Sequence, residues 1–139
     1  MYLTHEELMS LDPTLKVTAE EWTAMSLQID ALVDRLTFGV IEQRSVMSIP
    51  TLAERVKRAV AVEARAIATR GGLEACAKMA EVSSKSVNVG GISESVVYST
   101  PSGEDFIDGI PVSKVAVSLL SKITALGRQI QGAGGWRNF

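Results

Sequence analysis

The sequence is poor in the residues that build covalent and metal-bound sites. Its 139 residues include one cysteine, Cys76, and one histidine, His5. One thiol cannot form an internal disulfide, and the two residues together fall short of the four ligands of a structural zinc site. Their separation in sequence also argues against a Cys–His nucleophilic pair. We therefore expect no cofactor or metal, and Cys76, in an alanine-rich stretch, is predicted to be a small apolar core residue.

Long hydrophobic runs are also missing. The longest stretches without a charged residue, 45–53 and 95–103, have nine residues, against the roughly 20 apolar residues of a membrane-spanning helix. The acidic N-terminus lacks the basic and apolar regions of a secretory signal. The sequence therefore predicts no membrane segment and a protein that stays in the cytoplasm where it is made.

Sequence motifs of enzymes are absent as well. The chain has no GxxxxGK[ST] phosphate loop and no GxGxxG, HExxH, GxSxG or CxxC pattern, so we expect no catalytic residues. The one acidic cluster in a predicted loop is Glu104, Asp105 and Asp108. A metal-dependent hydrolase at this cluster is an alternative, but three acids in a loop rich in Pro and Gly are more typical of solvated surface.

Charge is unevenly distributed along the chain. The net charge of −2 conceals nine acidic and three basic residues in 1–54, followed by seven acidic and eleven basic residues in 55–139. After Asp108 the charged residues are all basic: Lys114, Lys122, Arg128 and Arg137. A chain with ends of opposite charge is suited to stacking on copies of itself or meeting a charged partner.

Helix starts are indicated by three capping boxes, in which a Thr precedes a Glu by three residues. The boxes are Thr4 with Glu7, Thr18 with Glu21, and Thr51 with Glu54. The first opens a short helix through Ser10. The second opens an amphipathic helix that we expect to stop near Gly39, with Trp22 in the core.

The third box predicts a helix through Arg70, with apolar residues from Leu52 to Ile67 facing the core. Its polar side is rich in bases, which Glu54 and Glu63 are expected to oppose. These bases, Arg55, Lys57, Arg58 and Arg65, are candidates for contact with phosphates or a neighbouring subunit.

Beyond Ser83 the composition shifts to Ser, Val and Gly. Alternation at Lys85, Val87 and Val89, and again near Tyr98, predicts a short extended arm or β-hairpin over about residues 83–100. Residues 100–111 are predicted to be an exposed loop. A last helix from about Pro111 is expected to place Val115, Leu119, Leu120, Ile123, Leu126 and Ile130 on its apolar side. The predicted fold is mainly α: one domain over 1–131, a small bundle of about four helices with the extended segment, then a flexible tail at 132–139.

The order of these segments resembles the head-to-tail connector, or adaptor, proteins of long-tailed bacteriophages. Four stretches carry the resemblance: Tyr2 to Leu8 (YLTHEEL), Ile29 to Gly39 (IDALVDRLTFG), the VKRAV stretch at Val56 to Val60, and Ile92 to Ser99 (ISESVVYS). The likeness covers nearly the whole chain. The end, GGWRNF, departs from the family pattern.

The resemblance implies a non-enzymatic, mostly helical subunit of a ring, commonly of twelve copies, beneath the portal in the virion neck. Such a ring extends the DNA channel and presents a surface to the next head-completion or tail protein, close to the genomic DNA. The last helix and tail are the expected portal contact, through Ile130, Trp136, Arg137 and Phe139; aromatics in a glycine-rich tail suit docking into a pocket.

Two further sets of residues are expected to make contacts within the ring. The bases Arg55, Lys57, Arg58 and Arg65 are expected to face the channel or the next subunit. The extended segment is expected to pair with a neighbour through Val87, Val89, Ile92, Val96 and Tyr98. The alternative from another class is a small helical DNA-binding protein for packaging or regulation that uses the same four bases.

Overall fold

The chain folds mainly as α-helix, as predicted. The computed structural model describes residues 1–89, 97–99, 105–107 and 109–126. The helices are α1 (His5–Leu11), α2 (Ala19–Leu36), α3 (Val40–Gln43), α4 (Pro50–Thr69), α5 (Leu73–Val89) and α6 (Lys114–Leu119), with a 3₁₀ turn at Val46–Ser48. Residues 121–126 are helical again after a break at Leu120. Three short strands, β1 (Val97–Ser99), β2 (Asp105–Ile107) and β3 (Ile110–Val112), form an antiparallel sheet.

Two of the predicted capping boxes start helices. The hydroxyl of Thr4 accepts the Glu7 backbone N–H at 3.2 Å, and the Glu7 side chain accepts the Thr4 N–H. Thr18 and Glu21 form the same reciprocal pair before α2. These bonds satisfy backbone donors that a helix start otherwise leaves without partners.

The third predicted box is wrong. Helix α4 begins at Pro50 with Ile49 as its N-cap, and no side chain caps it. Pro50 occupies the first helical position, where its fixed φ fits the helix and its missing N–H costs nothing. Thr51 therefore lies inside the first turn and does not cap the helix.

The first half of the predicted extended arm is also wrong. Helix α5 runs through Val89, so Val87 and Val89 are helical. The stretch from Leu73 to Val89 contains neither Gly nor Pro, the residues that interrupt a helix most strongly. The alternation at Lys85, Val87 and Val89 covers only five residues, which is too short to outweigh a helix-compatible stretch without Gly or Pro.

The strand prediction is correct at Tyr98, which lies in β1, but its partner differs from the one expected. Tyr98 pairs with Phe106 of β2, and Phe106 pairs in turn with Pro111 of β3. The predicted loop at 100–111 therefore contains two strands. Phe106 is 0% exposed, so burial of this aromatic residue anchors β2 in a stretch otherwise rich in turn formers.

Helix α4 is the centre of the fold, because α1, α2, α5, α6 and β3 all pack against it. Trp22 and Cys76 are buried in the core, as predicted. The indole N–H of Trp22 donates to the Leu3 carbonyl at 3.0 Å, which satisfies its one polar atom.

The apolar side of the last helix is confirmed at four of the six predicted residues: Leu120 and Ile123 are buried, and Leu119 and Leu126 pack against the core. The prediction is wrong for Val115, which is 58% exposed, and Ala116 is buried in its place. The buried residues recur at spacings of four and three, and Val115 lies one residue off that stripe. Among the helices that the structure describes, none is long and apolar enough to cross a bilayer.

Candidate functional site

Three of the four bases singled out on α4 form ion pairs within the chain. The Lys57 ammonium contacts the carboxylate of Glu7 on α1. The Arg65 guanidinium lies 2.7 Å from a carboxylate oxygen of Asp12 and 3.1 Å from the Thr14 hydroxyl. Two bases of α4 thus hold α1 and the segment that follows it.

The third pair, Arg58 with Glu54, joins successive turns of α4 at 2.6 Å. Arg55 is half-buried, and in the described part of the chain it forms no ion pair. Most of the positive charge that the sequence places on α4 is therefore matched locally by acidic groups.

These contacts also shift the pKa values of the carboxylates that make them. The hydrogen bond from Lys57 lowers the pKa of Glu7, and the hydrogen bond from Arg65 lowers the pKa of Asp12. Lys57, Glu7 and Arg65 are between 37% and 54% exposed and Asp12 is 18% exposed, so water and salt reach both pairs and their contribution to stability is small. The pairs set the position of α1 on α4 more than they stabilise the fold.

A groove of about 390 Å³ lies between α1 and the start of α4. Leu11, 46% exposed, provides an apolar surface beside the charged groups of Glu54, Lys57 and Arg58. The full lining is Glu6, Glu7, Ser10, Leu11, Glu54, Lys57 and Arg58. Leu11 is the only apolar residue of this lining, and five of the other six residues are charged.

A second groove of about 540 Å³ lies where α2 and the segment before it meet the turn between α4 and α5. Lys16 and Glu21 line one side, and Gly71, Gly72 and Glu74 line the other. Both glycines have positive φ angles, +102° and +106°, which L-residues with side chains rarely adopt. They allow the chain to reverse sharply from α4 into α5.

Glu63 is the one charged residue that is buried in the described core. It lies on α4 and is 0% exposed. Its Oε1 accepts the backbone N–H of Ser113 at 2.6 Å, whereas Oε2 is buried without a hydrogen-bond partner among the described residues. Burial raises the pKa of Glu63 to about 7, against the lowering effects of the Ser113 N–H and the charge of Arg70.

The expectation that Glu63 lies on the polar side of α4 is therefore wrong. It follows Val60 by three residues and precedes Ile67 by four, so helical geometry places it within the buried stripe. That spacing was the available signal. Its partner, Ser113, is 50 residues away, and sequence spacing alone does not reveal such a contact.

The N-terminal segment makes a second cluster that the sequence did not reveal. The Tyr2 hydroxyl donates to a carboxylate oxygen of Asp34 on α2. Burial and that hydrogen bond raise the pKa of Tyr2, while burial raises the pKa of nearby Asp30. With the Trp22 bond to Leu3, these contacts fix residues 2 and 3 along α2.

His5 and Cys76 have separate partners. The His5 ring Nε2 lies 2.6 Å from the carbonyl oxygen of Val17 and donates to it. The Cys76 thiol is buried, 3.9 Å from the carbonyl oxygen of Ile67. Each residue thus contacts a backbone carbonyl of its own part of the fold, His5 that of Val17 and Cys76 that of Ile67.

Several predicted site residues lie outside the described part of the chain. They are Ile92 and Val96 of the extended segment, Ile130, Trp136, Arg137 and Phe139 of the last helix and tail, and Glu104 and Asp108 of the acidic cluster. Asp105 lies in β2. Among the residues that are described, no group of three or more His, Cys, Asp or Glu side chains is placed to hold a metal ion.

Comparisons with protein-family models, curated proteins and solved structures found no match to this chain.

Proposed function

We propose that this chain is a structural, non-enzymatic subunit of a bacteriophage head–tail connector. It assembles as a ring, with twelve copies as the expected number, docks on the portal at the capsid vertex and extends the DNA channel. Its opposite face receives the next head-completion or tail protein. The proposal places the protein in the virion neck after synthesis in the bacterial cytoplasm, and it requires no cofactor.

The observation that carries the proposal is the order of segments along the chain. Three of the four stretches that resemble the adaptor family correspond to α1, to α2 with its C-terminal turn, and to α4; of the fourth, residues 97–99 form β1 and the rest lies outside the described residues. In the folded subunit these three elements pack together, with α1 held on α4 by ion pairs at Lys57 and Arg65. A mainly helical unit built from those segments is what the resemblance implies.

A DNA-binding protein is the second candidate, and the ion pairs weaken it. Non-specific affinity for duplex DNA comes from cations that neutralise phosphates and release counterions. Because Lys57, Arg58 and Arg65 already contact carboxylates, binding phosphates requires breaking those pairs. Of the four candidate bases, Arg55 remains for that role without such a cost.

Assembly state is the first test of the connector proposal. Light scattering and negative-stain images of the purified protein, alone and mixed with the portal protein of the same virus, should show rings on the portal. A monomer that never associates with the portal at any concentration contradicts the proposal. For the DNA-binding candidate, a duplex titration across salt concentrations should show steep loss of affinity with salt; no binding at low salt removes that candidate.

The tail contact has its own test. A protein truncated after Ile130 should lose portal binding, and Trp136→Ala and Phe139→Ala should weaken it by about 1–4 kcal/mol each if they are anchor residues. Asn138→Ala is the matched control, since it changes the tail between the two aromatics without removing an anchor. Undiminished binding by the truncated protein shows that the portal contact lies elsewhere.

A further inference from the structure

The carboxyl group of Glu63 connects two parts of the chain that are distant in sequence. It lies on the central helix α4, and its Oε1 accepts the N–H of Ser113 at 2.6 Å. Ser113 is the N-cap residue of α6 and directly follows β3. This single hydrogen bond joins α4 to the junction from which the C-terminal helix begins.

The surroundings of Glu63 favour its neutral form. The side chain is 0% exposed and its Oε2 has no hydrogen-bond partner within the described ranges. An ionised carboxylate at this place has one donor where water supplies several, and a buried charge without full compensation is costly. Opening the contact between α4 and α6 returns the carboxylate to water and removes that cost.

The charged groups near Glu63 compensate little of the cost of burying its ionised carboxylate. Arg70, the C-cap residue of α4 about two helical turns beyond Glu63, acts on Glu63 through its charge, and its guanidinium also donates to the Ala66 carbonyl at 2.7 Å. Strand β3 has no titratable side chain. The described charged side chains of the other elements packed near this point, Lys114 and Lys122 after β3 and Glu74, Lys78 and Glu81 on α5, are exposed.

We propose that Glu63 is a protonation-controlled latch on the C-terminal helix. The neutral carboxyl group keeps β3 and α6 docked on α4, and loss of its proton to water favours their release. This inference goes beyond the connector proposal and does not need it. One consequence does rest on that proposed function: release of α6 changes how the segment after it is presented to the portal.

The expected change in the opening equilibrium of α6 follows from the raised pKa of Glu63. With a pKa of about 7 in the docked state and the ordinary 4.5 in the open state, the opening equilibrium of α6 should rise about 70-fold between pH 5 and pH 8. The sign follows from the raised pKa: docking is most stable when the group is protonated, and stability is lost as pH rises towards and through 7.

Amide hydrogen exchange measured by NMR tests the latch on the intact chain. The informative amides are those of Ser113 and Val117, the latter bonded to the Ser113 carbonyl at 3.1 Å. After correction for intrinsic exchange, their opening constants should rise about 70-fold from pH 5 to pH 8. Glu63→Gln keeps an acceptor for the Ser113 N–H and cannot ionise, so the rise should disappear. Glu54→Gln, on the same helix but exposed, should behave as wild type.

Three results overturn the latch. One is a pH-independent opening of α6 in the wild type, and another is a rise that persists in Glu63→Gln. The third is an α6 that opens at every pH with the same constant as the amide of Thr37, the C-cap residue of α2, which shows global unfolding and no separate release. If Glu63→Gln does not fold, the carboxyl ¹³C signal of Glu63 in the wild type decides: a midpoint near 7 supports the latch, and a midpoint near 4.5 refutes it.

Discussion

Replacing Phe106 by alanine should destabilise the whole fold. Phe106 is 0% exposed, lies in the middle of β2 and pairs with Tyr98 on one side and Pro111 on the other. Its ring belongs to the same core cluster as Ile110, which is 4% exposed. The substitution removes a fully buried ring and leaves a cavity lined by residues that the surrounding backbone holds in place.

The magnitude follows from burial. A fully buried phenyl ring contributes about 1.5–3 kcal/mol by transfer from water, and the cavity left behind brings the total for Phe→Ala to about 3–5 kcal/mol. A domain of this size has a stability of roughly 5–15 kcal/mol. We therefore expect a large fraction of the stability to be lost, with a fall in Tm of about 10–20 °C.

Urea denaturation followed by far-ultraviolet circular dichroism measures the loss, with a thermal melt as a second reading. Val115→Ala is the matched control, because Val115 is 58% exposed, and it should change stability by no more than about 0.5 kcal/mol. The alternative reading of residues 100–111 as an exposed loop predicts an equally small change for Phe106→Ala. A loss below about 1 kcal/mol therefore refutes the burial of this ring in the core.

Three further perturbations test other parts of the fold. Glu7 and Asp12 have lowered pKa values, so their contribution to stability is present above their unfolded pKa and is lost as pH falls through the folded pKa. The double variant Glu7→Gln with Asp12→Asn should therefore lose less stability than the wild type between pH 6 and pH 3 in urea titrations. An unchanged loss contradicts the role of these pairs. Trp22→Phe breaks a buried hydrogen bond and should cost about 1–3 kcal/mol, whereas the exposed Leu27→Ala should be near neutral; equal effects count against the bond. The buried Cys76 thiol should react with a disulfide reagent only as fast as the protein opens, and immediate reaction in native buffer shows that it is accessible.

Local signals in the sequence predicted the N-terminal half well. The boxes at Thr4 and Thr18 depend on contacts between residues three apart, and the α2 stripe depends on spacings of three and four. Both are complete within one element, so they can be recognised without knowledge of the rest of the fold. The box at Thr51 failed because a stronger local signal, Pro50 one residue earlier, starts that helix.

The C-terminal half depends on distant contacts, and there the sequence predicted less. Strand β2 is held by burial of Phe106, although its neighbours are turn formers. Glu63 is held in the core by the N–H of Ser113, 50 residues away. Neither contact has a periodicity of its own, so the sequence predicts a loop where the structure has a strand, and an exposed position for a carboxyl group that is buried.

The charge asymmetry along the sequence is partly neutralised within the folded chain. Part of the positive charge of residues 55–139 neutralises part of the negative charge of residues 1–54, since Lys57 and Arg65 contact Glu7 and Asp12. The bases of α4 are thus less available to partners than their number suggests. The exposed Lys114 and Lys122 belong to a stretch that has no acidic residue after Asp108. The positive charge after Asp108 therefore has no acidic residue beside it in the sequence, and it lies at the end of the chain that the proposed function assigns to the portal.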